Sequence, residues 1–302
     1  MTGSKEARFV SRPSPDGTEH RIPVGIINGS SPGEQVTILA GQHGTEYDGI
    51  EAVQRLYRTT DPDQVRGRIV IGLILNLVSF HTWSQFAATP PEVTEMMKSL
   101  AEGSQYLINC HGGEFSEGMC PYVICQLVGN DTIDTTAMMM AEAFGVPIIA
   151  TSQYRGEPPP DLETRPAWWL WPSKSMADEL GIPEIIPEVG QRGSRDDEGM
   201  MYQGIVNVLR RIGILEGEYV PPPQPPRVIG DRYWLTADAE GTFFPEVEIC
   251  AEVTPGQRLG TVRDYFGNPL QDVTAPAAAR VMNMNVGMPV QQDGFLLWLG
   301  DA

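Results

Sequence analysis

The chain has 302 residues, 41% of them hydrophobic and 20% charged. That is apolar enough for a packed core and argues against global disorder. The length suits two domains of ordinary size. Acidic residues outnumber basic ones, 39 to 21, for a formal net charge of −18. This excludes a nucleic-acid binder, which needs a basic face, and disfavours docking on an anionic membrane. Only Lys5, Lys98 and Lys174 are lysines, so cationic work falls to arginine, whose planar fork suits carboxylates.

The N-terminus has no apolar stretch behind it, so no signal peptide is expected. The longest apolar run, from Ile69 to Val78, is too short to span a bilayer. The four cysteines are Cys110, Cys120, Cys125 and Cys250. Four in this length is not a disulfide framework, and the simplest expectation is reduced thiols in a cytoplasm.

Residues 1 to about 35 are rich in turns and read as a β-meander, with one strand from Ile22 to Ile27. A short apolar strand, Gln35 to Ala40, runs into Gly41-Gln-His-Gly44, and a helical pattern follows from about Asp48 to Tyr57. Gly67 to Asn76 is apolar on both faces, as expected of a central strand covered by helices. A helix follows from Glu92 to Gly103, then a buried strand from Gln105 to Cys110 that ends at His111. Next come a strand from Tyr122 to Val128, a helix from Thr132 to Phe144, a strand from Pro183 to Glu188, and an amphipathic helix from Gly199 to Gly213. Strands alternating with helices give an α/β layer architecture. The run Pro221-Pro-Pro-Gln-Pro-Pro226 is stiff and extended, and marks a domain boundary. The expected organisation is an α/β unit over 1–220, a linker over 221–226, and a small all-β unit over 227–302 with strands near 232–237, 241–244, 260–263, 279–284 and 294–299.

The strongest chemical signal is Gly41-Gln-His-Gly-Thr-Glu46 after a buried strand. His43 and Glu46 are spaced to reach one ion from a strand-to-helix turn. Imidazole and carboxylate are ordinary zinc ligands, and a catalytic zinc takes three protein ligands with one position open. His111 is placed to be the third, at a strand end beside Gly112-Gly113, where ligand chemistry collects in α/β sheets. The competing reading is two ordinary turn histidines. Glu188, ending a strand in Pro187-Glu-Val-Gly190, would be the general base that such a hydrolase needs.

These motifs, taken in order with Leu75-Asn76 and Tyr106-Leu-Ile-Asn-Cys-His-Gly-Gly113, resemble those of the succinylglutamate desuccinylase/aspartoacylase family. The resemblance covers nearly the whole chain. It implies a zinc-carboxypeptidase-like mixed sheet flanked by helices, with a smaller all-β C-terminal domain. It also implies one Zn2+ held by His43, Glu46 and His111, Glu188 as general acid/base, and hydrolysis of the amide of a small N-acyl amino acid or related metabolite. An esterase or peptidase-like activity on the same site, and a metal-binding relative without turnover, remain as alternatives. The expected partner is a small molecule, and the small β unit would shape the mouth of the site or a contact in a homo-oligomer.

The sequence departs from the family in its anion-binding groups. There is no Asp-Leu-Asn-Arg motif, no arginine lies between Arg68 and Arg155, and only 64 residues separate Glu46 from His111. The substrate therefore lacks the usual carboxylate, or another group takes over the clamp, or turnover is lost. Replacement candidates are His81, Gln85, Arg155, Arg165 and Arg192. Trp168, within Trp168-Trp-Leu-Trp171, offers an aromatic wall or plain packing, and Tyr265 offers a contact at the pocket rim. Asn109 stands where the family keeps an aspartate that orients a metal ligand. The tail resembles a biotinyl/lipoyl fold, but Met282-Asn283-Met284 stands where a carrier lysine would be, so cofactor carriage is excluded.

Overall fold

A computed structural model describes residues 3–85, 87–153, 176–230 and 232–301. Two long strands, β1 (Ser4–Pro13) and β2 (Glu19–Asn28), form an antiparallel hairpin. Then follow β3 (Ser31–Ala40), α1 (Tyr47–Thr59), β4 (Arg66–Gly72), α2 (Leu77–Thr82), α3 (Pro91–Ala101) and β5 (Tyr106–Cys110). After them come β6 (Glu117–Met119), β7 (Tyr122–Leu127), α4 (Asp131–Phe144), β8 (Ile148–Gln153), α5 (Met176–Leu180), β9 (Glu184–Glu188), α6 (Glu198–Arg211) and β10 (Arg227–Ile229). Among the described residues these strands, except β6, form one mixed sheet in the order β1-β2-β4-β3-β5-β9-β7-β8-β10.

The centre of this sheet is parallel, β4 to β3 to β5 to β9. Alternate side chains enter two separate cores. Ile38, Ile71 and Ile108 pack with Val53 and Leu56 of α1 and Ile205 and Leu209 of α6. Leu39, Val70 and Leu107 pack with Val93, Met96 and Met97 of α3. Helices on both faces explain why these strands read as continuous apolar runs. The expected strand over 67–76 is shorter than its hydrophobicity suggested. It stops at Gly72, and the Asn76 side chain accepts the Ser79 N–H at 3.0 Å to cap α2.

The remaining strands are β11 (Arg232–Thr236), β12 (Gly241–Pro245), β13 (Glu252–Val253), β14 (Arg258–Arg263), β15 (Pro269–Thr274), β16 (Ala279–Asn285), β17 (Pro289–Val290) and β18 (Phe295–Asp301). They form two antiparallel sheets, β11-β18-β16-β13 and β15-β14-β12-β17, around Phe243, Leu259, Val262, Leu297 and Leu299. Met282-Asn283-Met284 lies within β16, not at a hairpin tip.

Three ties join the two units. The strand β10, just past the proline run, adds in parallel to β8 of the large sheet. The strand β6 leaves the large sheet and pairs with β16, Met119 opposite Asn283 and Glu117 opposite Asn285. A disulfide links Cys120 to Cys250. This corrects the expectation of four reduced thiols, since only Cys110 and Cys125 are free, both buried. The reason is long-range. Cys120 N–H bonds Met282 O at 2.8 Å and Cys250 N–H bonds Val281 O at 2.9 Å. One strand thus collects two cysteines 130 residues apart, a pairing that sequence spacing does not reveal. No helix among the described residues is long and apolar enough to cross a membrane.

Candidate metal centre

The parallel strands β3, β5 and β9 deliver their carboxyl ends to one edge of the sheet, where crevices form in α/β folds. Gly41, with φ +68, turns the chain out of β3. His43 and Glu46 then occupy the loop before α1. Gly44 is required there: a Cβ would stand 2.1 Å from Phe80 N within α2. The Gly44 N–H also donates to Ser79 Oγ at 3.2 Å. His111 follows β5 directly.

The structure brings His43, Glu46 and His111 together, with their ligand atoms all within 4.8 Å of one another. His43 Nδ1 lies 2.6 Å from Glu46 Oε1, and His111 Nδ1 lies 3.2 Å from Glu46 Oε2. Glu46 and His111 are buried, whereas the His43 side chain is 32% exposed and marks the open side. The second contact lacks hydrogen-bond geometry, so the buried Glu46 Oε2 has no hydrogen-bond donor. Two imidazoles and a carboxylate with a spare buried oxygen are a fitting donor set for zinc.

Glu188 lies beside His111 through an isolated parallel bridge. The His111 N–H bonds Pro187 O at 2.9 Å, and the Val189 N–H bonds His111 O at 3.1 Å. The chain then turns at Gly190, φ +103, where a Cβ would meet Asp48 Oδ2 at 2.1 Å. Asp48 in turn accepts the Asp197 N–H at 2.9 Å, joining the start of α1 to the start of α6.

Burial opposes charge on the His43 imidazole, but Glu46, Glu114 and Glu188 outweigh it and push His43 up to about 10. Burial likewise opposes charge on Glu46, yet His43 and His111 hold it below the usual carboxylate range. Glu188 moves the other way. Burial raises it, and repulsion from Glu46 and Glu117 adds to that, leaving it well above its ordinary value. A buried carboxyl facing other carboxylates keeps its proton more readily than a free one.

Two further acids, which the sequence reading missed, border the cluster. Thr45 Oγ1 donates to the buried Glu114 Oε1 at 2.6 Å. Glu117 Oε2 accepts the Glu114 N–H at 3.0 Å, and Glu117 Oε1 accepts Asn283 Nδ2 at 3.1 Å. Burial pushes Glu117 up to about 7. A readable signal existed, since both acids follow His111 within six residues. Beside Glu46, the rings of Phe80, Tyr47 and Phe115 make successive edge contacts at 6.2 and 6.0 Å.

The other expected site residues scatter. His81 is exposed on α2, with its ring against Phe80. Gln85 Oε1 accepts both the N–H and the hydroxyl of Ser116, at 2.9 and 2.8 Å, and buttresses the loop after His111. Arg192, with φ +56, lines cavities of about 350 and 330 Å³ between the loop after Glu188 and the segment 245–249. Tyr265 is 71% exposed on the turn between β14 and β15, and lines neither cavity. Asn109 donates to Gln42 Oε1 at 3.3 Å, while its buried Oδ1 has no partner. Arg155, Arg165 and Trp168 lie outside the described residues.

Residues 32–89 match the model of the succinylglutamate desuccinylase/aspartoacylase catalytic domain. A curated relative, N-alpha-acetyl-L-2,4-diaminobutyric acid deacetylase of Halomonas elongata, is 23% identical over 266 residues, which is 80% of this chain and 74% of the relative. The product-bound ectoine utilization protein EutE (DoeB) of Ruegeria pomeroyi superposes with a TM-score of 0.83 at 18% identity, over 100% of this chain and 96% of that one. A succinylglutamate desuccinylase/aspartoacylase of Rhodobacter sphaeroides does so at 0.81 and 18%, with the same coverage. The resemblance read from the motifs is thereby borne out: the chain carries the succinylglutamate desuccinylase/aspartoacylase catalytic-domain pattern over residues 32–89 and shares the fold of that family's solved structures.

Proposed function

We propose that the chain is a zinc-dependent deacylase that hydrolyses the amide bond of a small N-acyl amino acid or related N-acyl metabolite. One observation carries the reading: the compact His43–Glu46–His111 cluster with the up-shifted Glu188 carboxyl alongside. Zinc held by the three ligands would polarise the scissile carbonyl and lower the pKa of water. Glu188 takes one proton from the attacking water as its oxygen bonds to the carbonyl carbon. It then returns that proton to the leaving nitrogen as the carbon–nitrogen bond breaks. The exposed flank of His43 leaves the way in. The deacetylase relative supports an amide over an ester.

The test is metal analysis followed by a screen of N-acyl amino acids against zinc-loaded protein. About one zinc per chain and release of a free amine are expected. Failure to retain zinc even when it is added, or hydrolysis of esters alone, overturns the reading.

A further inference from the structure

The strand β1 is the outer strand at one end of the large sheet. It pairs with β2 over ten consecutive residues without a bulge, and among the described residues nothing pairs with its other edge. Every residue of β1 is exposed except Val10, which is half-buried, so neither face of the strand is covered. Phe9 is 55% exposed, with the Arg21 guanidinium 4.2 Å over its ring. A long open edge is a template for another strand.

The hairpin fixes which backbone groups are free. The Ser14 N–H bonds Thr18 O at 2.8 Å, which makes Arg12–His20, Val10–Ile22, Arg8–Val24 and Glu6–Ile26 the hydrogen-bonded pairs. Pro23, opposite Phe9, has no N–H to give, and its carbonyl turns away to accept the Leu73 N–H at 2.9 Å. The N–H and C=O groups of Lys5, Ala7, Phe9 and Ser11 therefore point out of the sheet. Lysine and proline, which commonly blunt such edges, stand only near the two ends, as Lys5 and Pro13.

Side chains choose among the ways in which a second copy could pair antiparallel with these groups. Centring the pair on Arg8 sets Arg8 against Arg8, and centring it on Val10 sets Arg8 against Arg12. Like charges directly opposite are destabilising. Centring on Ala7 leaves Ser11 to Pro13 unpaired. Centring on Phe9 engages residues 5–13. Phe9 then meets Phe9, Ala7 meets Ser11, the Lys5 N–H meets the Pro13 carbonyl, and Glu6 faces Arg12 twice. The strand holds Lys5, Arg8 and Arg12 against Glu6 alone in a chain of net charge −18. A second copy approaching it thus brings the opposite net sign.

We propose that β1 is a homodimer surface: two copies join edge to edge, antiparallel and centred on Phe9, so that one sheet runs through both molecules. The hydrogen bonds come from the outward groups of Ala7, Phe9 and Ser11, and the register comes from the Glu6–Arg12 pairs. This holds whatever the chain hydrolyses.

Sedimentation of the full chain between about 1 and 200 μM tests it. A monomer–dimer equilibrium is expected for wild type. Ser11→Pro removes an outward N–H that the hairpin does not use, and is expected to be monomeric with the circular dichroism of wild type. Glu6→Arg and Arg12→Glu should each weaken association by about tenfold, and the two together should restore it, which general damage to the strand would not do. A monomer at every concentration, a dimer indifferent to Ser11→Pro, or a double variant no tighter than the single ones overturns the proposal.

Discussion

His111 and Glu188 are locked side by side, because the backbone of each strand end donates to the other across one parallel bridge. A proposed ligand and a proposed base therefore share one rigid support, and either can be changed chemically without moving the other. Glu188→Gln keeps the shape and removes the proton acceptor. Zinc content should match wild type while kcat falls by about 10²- to 10⁴-fold. Normal turnover of an N-acyl substrate by this variant would show that the base is elsewhere.

The Gly44 contact makes the metal loop depend on α2. In Gly44→Ala the new methyl meets Phe80 N at 2.1 Å, so the loop or the helix must shift. The expected result is a lower Tm and weaker zinc binding, read by thermal melts with and without added zinc. Zinc should raise the Tm of wild type and do so less for the variant.

Glu184 gives a pH dependence with a definite sign. It is 2% exposed, its Oε2 accepts the Ala177 N–H at 3.1 Å, and burial pushes it from 4.5 up to about 7. A carboxyl raised in the folded state keeps its proton longer than in the unfolded state. Its contribution is fully present below about pH 4.5 and is lost as pH rises through about 7. The loss amounts to about 3 kcal/mol. Glu184→Gln should match wild type near pH 4 and exceed it at pH 8 in chemical denaturation, with a flatter profile between.

The Cys120–Cys250 bond closes a loop of 130 residues. Its removal by Cys120→Ala/Cys250→Ala should cost about 2–4 kcal/mol. Reductant should lower the Tm of wild type and leave that of the double variant unchanged. Thiol titration of the denatured, unreduced protein should count two free groups, Cys110 and Cys125. A count of four would sink the pairing.

Much of this was legible in the chain itself, for local reasons. The second half of β3 and most of β5 are buried on both faces, so their apolar runs are broken only by Thr37 and Asn109, and glycines follow within two residues of each. The spacing of His43 and Glu46 is short enough to survive as a motif. What was not legible depends on distant pairing. The strand β6 is three residues long with a glycine at its centre, and only β16 makes it a strand. Cys120 and Cys250 meet for the same reason. Glu117 follows His111 closely in sequence, but its contact with Asn283, 166 residues away, shows only in the fold. The strand over 67–76 was overextended because Ile74 and Leu75 are buried as turn residues leading to the Asn76 cap.

The pairing of β6 with β16 also fixes an order of events during synthesis. His43, Glu46, His111 and Glu188 all precede the proline run, and the parallel centre of the large sheet can assemble while the rest of the chain is still being made. Glu117 cannot take its final place then, because its partners on β16 emerge among the last 25 residues. The proposed ligands are thus available early, and the buried carboxyl that borders them is set last. A nascent chain stalled before residue 279 would hold the proposed ligands for a metal while Glu117 still lacked Asn283.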